Sequence, residues 1–272
     1  MANISEQRYP QQFAKTFDFL SFNKELVRTQ GSGHYVIAID PSFITKAGKK
    51  TPGLGYFWSG QAGQAKRGLE ITGIAAIDID HHAGFHLEAV QTIIKEDENR
   101  TLSAIYAAII TQRKEALLAV SRVVVADAWF SKRSFADAML DSGFHFISRL
   151  RDDANLSKRT PLEKYLHTGE PTGKLGWPKK HGGKAGPNNL DKEAFVLVET
   201  KDSTILYTAL VYSVSLERNV RIAHLQTSND KGKTGYKLYF CTDIEMDAAR
   251  ILRYCRSRFQ IEFLYRDAKQ HT

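Results

Sequence analysis

Apolar positions along the chain follow two periods, and the points where one gives way to the other outline the elements. Val36, Ile37, Ala38 and Ile39 form an unbroken run rich in β-branched residues, the pattern of a strand buried on both faces. The run closes on Asp40, and Pro41 behind it predicts the end of ladder pairing. Tyr56 to Ser59 and Leu69 to Ile79 predict two further strands, giving a three-stranded antiparallel meander with the first. Apolar residues at 102, 105, 106, 109, 110, 117 and 118 keep helical spacing, with Asn99 or Thr101 as the cap. Arg122 to Ala126 then repeats the opening pattern, a buried run ending in an acid, here Asp127. A helix from Ser131 to Leu140 and a strand from Gly143 to Leu150 follow. Strand, helix and strand in that order predict a parallel pair joined by a crossover helix. Ahead of all this, residues 11–30 predict a helix closed by Gly31-Ser32-Gly33.

The pattern changes after residue 150. His167 to Asp191 is rich in Gly, Pro, Lys and Asn and reads as loop. Glu193–Thr200, Thr204–Val214, Val220–Gln226 and Tyr236–Thr242 alternate as antiparallel strands do, with a turn at Asn229 to Gly232, and helical spacing returns from Glu245 to Gln270. The expected organisation is a helical lead-in (1–33), the first part of an α/β core (34–150), a β-rich insertion (151–243) and a closing helix (244–272).

Composition narrows the class. Hydrophobic residues make up 42% and charged residues 25%, which excludes a disordered chain. Lys and Arg exceed Asp and Glu by 38 to 30, a net +8, which favours polyanionic partners, nucleic acid first and acidic membrane surface second. Cys241 and Cys255 lie outside any Cys-x-x-Cys arrangement, so no disulfide framework is expected and a reducing cytosol is the simplest setting. The first 24 residues lack the apolar core of a signal peptide, and no stretch reaches membrane-span length. A soluble cytoplasmic protein is expected.

Asp40 and Asp127 stand where open α/β sheets place their ligands, at the carboxyl ends of strands. Phosphodiester chemistry needs charge neutralised at the attacking and leaving oxygens, and two hard cations about 3.5–4 Å apart do this. Mg²⁺ takes one or two carboxylates and keeps its remaining sites for water and phosphate. Two strand-end acids and Glu262 on the closing helix would meet that need. Arg258, Glu262 and Lys269 are spaced four and seven apart, so they share a helix face, with Leu252, Phe259 and Phe263 a quarter-turn round. On spacing alone the simpler reading is a solvated Arg–Glu ion pair contributing a few tenths of a kcal/mol. Asp78 and Asp80 also end a strand and compete with Asp40 for the first acid. His81, His82 and His86 could hold a transition metal, but they lack a partner cluster and read as loop histidines. In Lys174 to Lys184 cations interleave with Trp177, suited either to gripping phosphates and stacking a base or to a solubilising connector. Walker and Gly-x-Ser-x-Gly patterns are absent.

Three segments resemble the DDE transposases of bacterial insertion sequences, the class with a Tyr-x-x-Arg-x-x-x-Glu-x6-Lys signature. They are Ala38-Ile-Asp40-Pro-Ser-Phe-Ile with the Lys46-x-Gly-Lys-Lys-Thr51 that follows, Val125-Ala-Asp127-Ala-Trp-Phe-Ser-Lys132, and Tyr254 through Lys269. Arg258, Glu262 and Lys269 match the signature. Its Tyr falls at Cys255, with Tyr254 one place earlier. The resemblance implies a ribonuclease-H-like mixed sheet with flanking helices and a β-rich insertion before the last helix. Asp40, Asp127 and Glu262 would be catalytic and hold Mg²⁺, with Mn²⁺ as a substitute; Tyr254, Arg258, Lys269 and Trp177 would contact DNA. The implied activity is cutting of transposon ends and joining of the freed 3′-hydroxyl to target DNA, by a homodimer in a synaptic complex. The alternatives are a decayed or truncated DNA-binding remnant and a nuclease or resolvase of the same fold.

Overall fold

The structure is a computed structural model that describes residues 16–48, 50–94, 100–150, 156–158, 195–228 and 234–270. Trp177, the 174–184 loop and the 229–232 turn lie outside the described residues.

Its strands are β1 (Tyr35–Thr45), β2 (Gly55–Ser59), β3 (Gln64–Asp78), β4 (Ala83–Gln91), β5 (Val123–Val125), β6 (His145–Arg149), β7 (Leu156–Lys158), β8 (Val196–Lys201), β9 (Thr204–Ser213), β10 (Arg218–Ser228) and β11 (Thr234–Cys241). The helices are α1 (Phe19–Gln30), α2 (Leu102–Thr111), α3 (Lys114–Leu118), α4 (Arg133–Asp141), α5 (Ala248–Ser257) and α6 (Gln260–Gln270). All the strands belong to one mixed sheet ordered β2-β3-β1-β5-β6-β11-β10-β9-β7, with β4 beside β3 and β8 beside β9. β1 pairs antiparallel with β3 and parallel with β5, and β5 runs parallel to β6. This is the ribonuclease-H-like α/β arrangement expected from the sequence. The later strands extend that sheet directly, since β11 pairs antiparallel with β6.

Strand alternation sends β1 side chains to two cores. Ile37 and Ile39 face Tyr106, Ile110, Phe135 and Met139 of α2 and α4, whereas Val36 and Ala38 face Ile251, Cys255 and Ile261 of α5 and α6. The result is three layers, α1–α4 over one face and α5–α6 over the other. Each fully buried Ile or Phe contributes about 1.5–3 kcal/mol. On the α2/α4 side, Phe130, Phe135, Phe146 and Phe240 continue edge-to-face at centroid spacings of 4.9, 5.1 and 5.5 Å.

Four expectations need correction. β1 does not end at Asp40 but runs to Thr45 along β3. The Asp40 carbonyl turns toward β3, so Pro41's nitrogen faces the opposite side, where β5 has already ended its pairing at Ala38; no ladder bond is lost. The three strands are not a simple meander, because β3 lies between β1 and β2. The long helix over 102–120 breaks at Gln112–Arg113, where Arg113 turns out to bond Glu88 of β4 and the Ile109 carbonyl. The closing helix also breaks, at Arg258–Phe259.

Asp78 and Asp80 have structural partners. Asp78 is fully buried at the end of β3. Burial opposes its charge, but the amides of His81, Ser32 and Asp80 and the Ser32 hydroxyl all donate to it and hold its pKa down at about 2. Asp80 receives Arg253 Nη2 at 2.8 Å and lies 3.2 Å from His34 Nδ1. Asp78→Ala removes the acceptor shared by three amides of exposed residues and is expected to cost about 1–2 kcal/mol, measured by urea unfolding at pH 7. Because its folded pKa lies below the unfolded value, this stabilisation is present above pH ~4 and fades as pH falls toward 2. Wild type and variant should therefore converge in acid.

Candidate active site

Asp40 sits on the α5/α6 face of β1, in register with Gly73 of β3. Gly73 is needed there. The Tyr265 hydroxyl of α6 lies between the two strands, accepting from the Gly73 amide at 2.7 Å and donating to the Asp40 carbonyl. A Cβ on residue 73 would stand 2.3 Å from that hydroxyl. One α6 side chain is thus stitched into the ladder at the residue carrying the candidate acid.

Asp127 follows β5 directly. Its side chain caps the 3-10 turn Ala128–Phe130, accepting the Trp129 amide at 2.9 Å. Ser148 of β6 donates to the Asp127 carbonyl at 2.6 Å, and Ser131 donates to the Arg149 carbonyl at 2.6 Å. These bonds fix the turn against the neighbouring strand. Glu262 lies in the first turn of α6, where the helix dipole favours a carboxylate.

Arg258 links two of the three acids, Glu262 and Asp40. It is buried at the junction of α5 and α6, with Nη2 2.9 Å from Glu262 Oε1 and Nη1 3.7 Å from Asp40 Oδ1. Nη1 itself has no hydrogen-bond partner among the described residues. The guanidinium carbon stacks 4.8 Å from the Phe259 ring centroid. Lys269, two turns further along α6, donates to Ser42 Oγ at 3.0 Å. Tyr254 is buried, and its hydroxyl pairs with His34 Nε2 at 2.8 Å. Cys255, at the signature's Tyr position, is buried among the α5 packing residues.

The electrostatics centre on Asp40. Burial is the largest influence, and Asp127, Glu262 and Glu70 push in the same direction against Arg258, so its pKa rises to about 7. Arg258 opposes the rise without cancelling it.

The sequence reading missed two contributors, Tyr265 and Glu70. Glu70 of β3 is buried on the opposite sheet face, where it accepts the Tyr106 hydroxyl at 2.5 Å. Burial raises its pKa. A lone charge in the otherwise uncharged stretch of Leu69-Glu-Ile-Thr was its available signal. Tyr265 leaves none, because its role depends on how α6 docks.

Among the described residues no three of His, Cys, Asp and Glu form a compact metal cage; His81, His82 and His86 make none. The donor chemistry of the acids nevertheless suits Mg²⁺, which takes hard oxygens and needs only one or two carboxylates. Among the described residues no helix is long and apolar enough to cross a membrane.

Strand order and the flanking helices define a ribonuclease-H-like α/β fold. A family model for the DDE superfamily endonucleases matches residues 22–204, well over half of the chain, and the chain belongs to that family. The matched stretch contains Asp40 and Asp127, and Glu262 lies beyond it. Enzymes of this superfamily generally use divalent metals and act on DNA. No curated protein shows significant similarity to the chain.

Proposed function

We propose that this DDE endonuclease is the catalytic domain of a transposase that cuts transposon ends and joins the 3′-hydroxyl to target DNA, working as a dimer that pairs two ends. The observation that carries the reading is the setting of Asp40: a half-buried carboxylate 3.7 Å from Arg258, its pKa raised first by burial and then by Asp127 and Glu262. Such a site favours added cations together with the phosphates they bring.

Asp40, Asp127 and Glu262 would hold Mg²⁺. Bound there, the metal would neutralise charge on the phosphodiester and favour in-line displacement. The chain's own residues do the positioning. Tyr265 and Gly73 lock the backbone under Asp40, Ser148 and Trp129 lock Asp127, and the buried Arg258 holds Glu262 beside Asp40. Lys269 of α6 supplies a phosphate contact.

A supercoiled plasmid carrying the element's ends, incubated with Mg²⁺ or Mn²⁺, should be nicked, and EDTA should stop the reaction. Asp127→Asn and Glu262→Gln should each lower nicking by about 10³-fold or more while DNA affinity by gel shift stays near wild type. A variant cutting at the wild-type rate removes that residue from the site. Covalent joining of the cut end to a second DNA identifies a transposase; cleavage without joining identifies a nuclease.

A further inference from the structure

Strand register puts more than the acids on the α6 face of the sheet. Along β1 this face carries Asp40, Ser42 and Ile44, opposite Gly73, Ile71 and Leu69 of β3. The same β3 parity continues through Arg67 and Ala65, which pair with Tyr56 and Trp58 of β2. Tyr56 and Trp58 therefore lie on the candidate acid's face, and both are largely exposed, at 70% and 65%. Between Trp58 and α6 runs a groove of about 930 Å³ that begins at Pro41 and Ser42 and passes Ile71, Leu264 and Lys269, with Tyr56 beside its rim on the same strand.

We propose that this groove holds an unpaired stretch of the DNA strand entering the site, with bases stacked on Trp58 and Tyr56 and a phosphate on Lys269. The proposal rests on the phosphodiester-cutting reading above and assigns that site its substrate track. A mostly apolar trench suits base faces and not the outside of a duplex, which presents phosphates. Two large aromatics exposed side by side are the platform that stacked bases use, and Arg67 opposite Tyr56 adds a cation on the same face. The scale fits as well. Asp40 to Ile44 spans about 14 Å of strand, equal to about four stacked nucleotides. The Lys269 ammonium, held by Ser42, lies about half-way.

The test uses a fluorescein-labelled 15-mer oligothymidylate and a duplex of equal length, titrated with the full chain at fixed salt. Trp58→Ala should weaken oligothymidylate binding about tenfold, Trp58→Phe should restore most of it, and duplex affinity should change less than about twofold. Lys269→Ala should weaken oligothymidylate binding and reduce its salt slope by about one. Wild-type affinity in Trp58→Ala and Tyr56→Ala, an equal loss for duplex, or no oligothymidylate binding by wild type overturns the proposal. A shift in sedimentation state on Trp58→Ala, with oligothymidylate affinity intact, assigns the face to a second copy and also overturns it. Metal-dependent plasmid nicking by the same wild-type preparation reports separately on the site reading, so the two can fail independently.

Discussion

Asp40→Asn is expected to abolish metal-dependent nicking and, in EDTA at pH 8, to make the protein more stable than wild type. The two effects share one cause. Asp40 is paired with Gly73 in the middle of the sheet and surrounded by burial, Asp127, Glu262 and Glu70, so its pKa rises to about 7. Its folded pKa therefore lies above its unfolded value. Below pH ~4 the group is protonated in both states and costs nothing. As pH rises from about 4 to 7 the unfolded chain ionises while the folded one resists, and stability falls by an amount that levels off above 7. The full shift corresponds to about 4 kcal/mol, and partial exposure of the side chain makes about 2–4 kcal/mol the expected range. Asparagine keeps the shape without the charge, so the gain should appear at pH 8 and vanish near pH 4. Urea midpoints across that range measure it. Saturating Mg²⁺ should stabilise wild type and not the variant, since the cation supplies the missing positive charge. A variant less stable than wild type in EDTA at pH 8 would mean that Arg258 already balances the site.

Gly73→Ala should be among the most damaging single-methyl changes in the chain. The added carbon would stand 2.3 Å from the Tyr265 hydroxyl and 2.9 Å from its ring carbon Cζ, so Tyr265 must leave its place between the strands. Overpacking costs about 1–3 kcal/mol, and loss of the hydroxyl's bonds to the Gly73 amide and Asp40 carbonyl adds about 1–3 kcal/mol. A total near 3–5 kcal/mol is expected from denaturant unfolding. Tyr265→Phe alone should cost only about 1 kcal/mol, because the two strands can close the direct amide–carbonyl bond once the hydroxyl is gone. Nicking should fall in Gly73→Ala even where it remains folded, since α6 carries Glu262 and Lys269.

Much of this arrangement was legible because the central strands announce themselves. Val36 to Ile39 and Val123 to Val125 are apolar on both faces and stop at an acid, which only a mid-sheet strand requires. β4 was missed because Gly84, His86 and a register shift near Ile74–Ala75 blur its alternation, and the turn before it places His82 at φ 52°. The two helix breaks were invisible to periodicity because the apolar spacing continues across both. At the end of α2 Arg113 bonds Glu88 of a distant strand, and at the end of α5 Arg258 meets Asp40 and Glu262. The spacing of Arg258 and Glu262 gave the right pairing from a continuous-helix argument, although the helix is not continuous. Tyr265 and the shared face of Asp40, Tyr56 and Trp58 depend on docking and register across three strands, which no local pattern encodes.

The interruption at Arg258–Phe259 divides the labour of the chain's last segment. α5 is keyed to β6, β10 and β11, and α6 rests on β1, β3 and β4. The two short rods are therefore seated separately, each on its own set of strands. Glu262, just past the break, takes its place from how α6 docks, and Tyr265 on the same helix pins that docking to the backbone of the strand that carries Asp40.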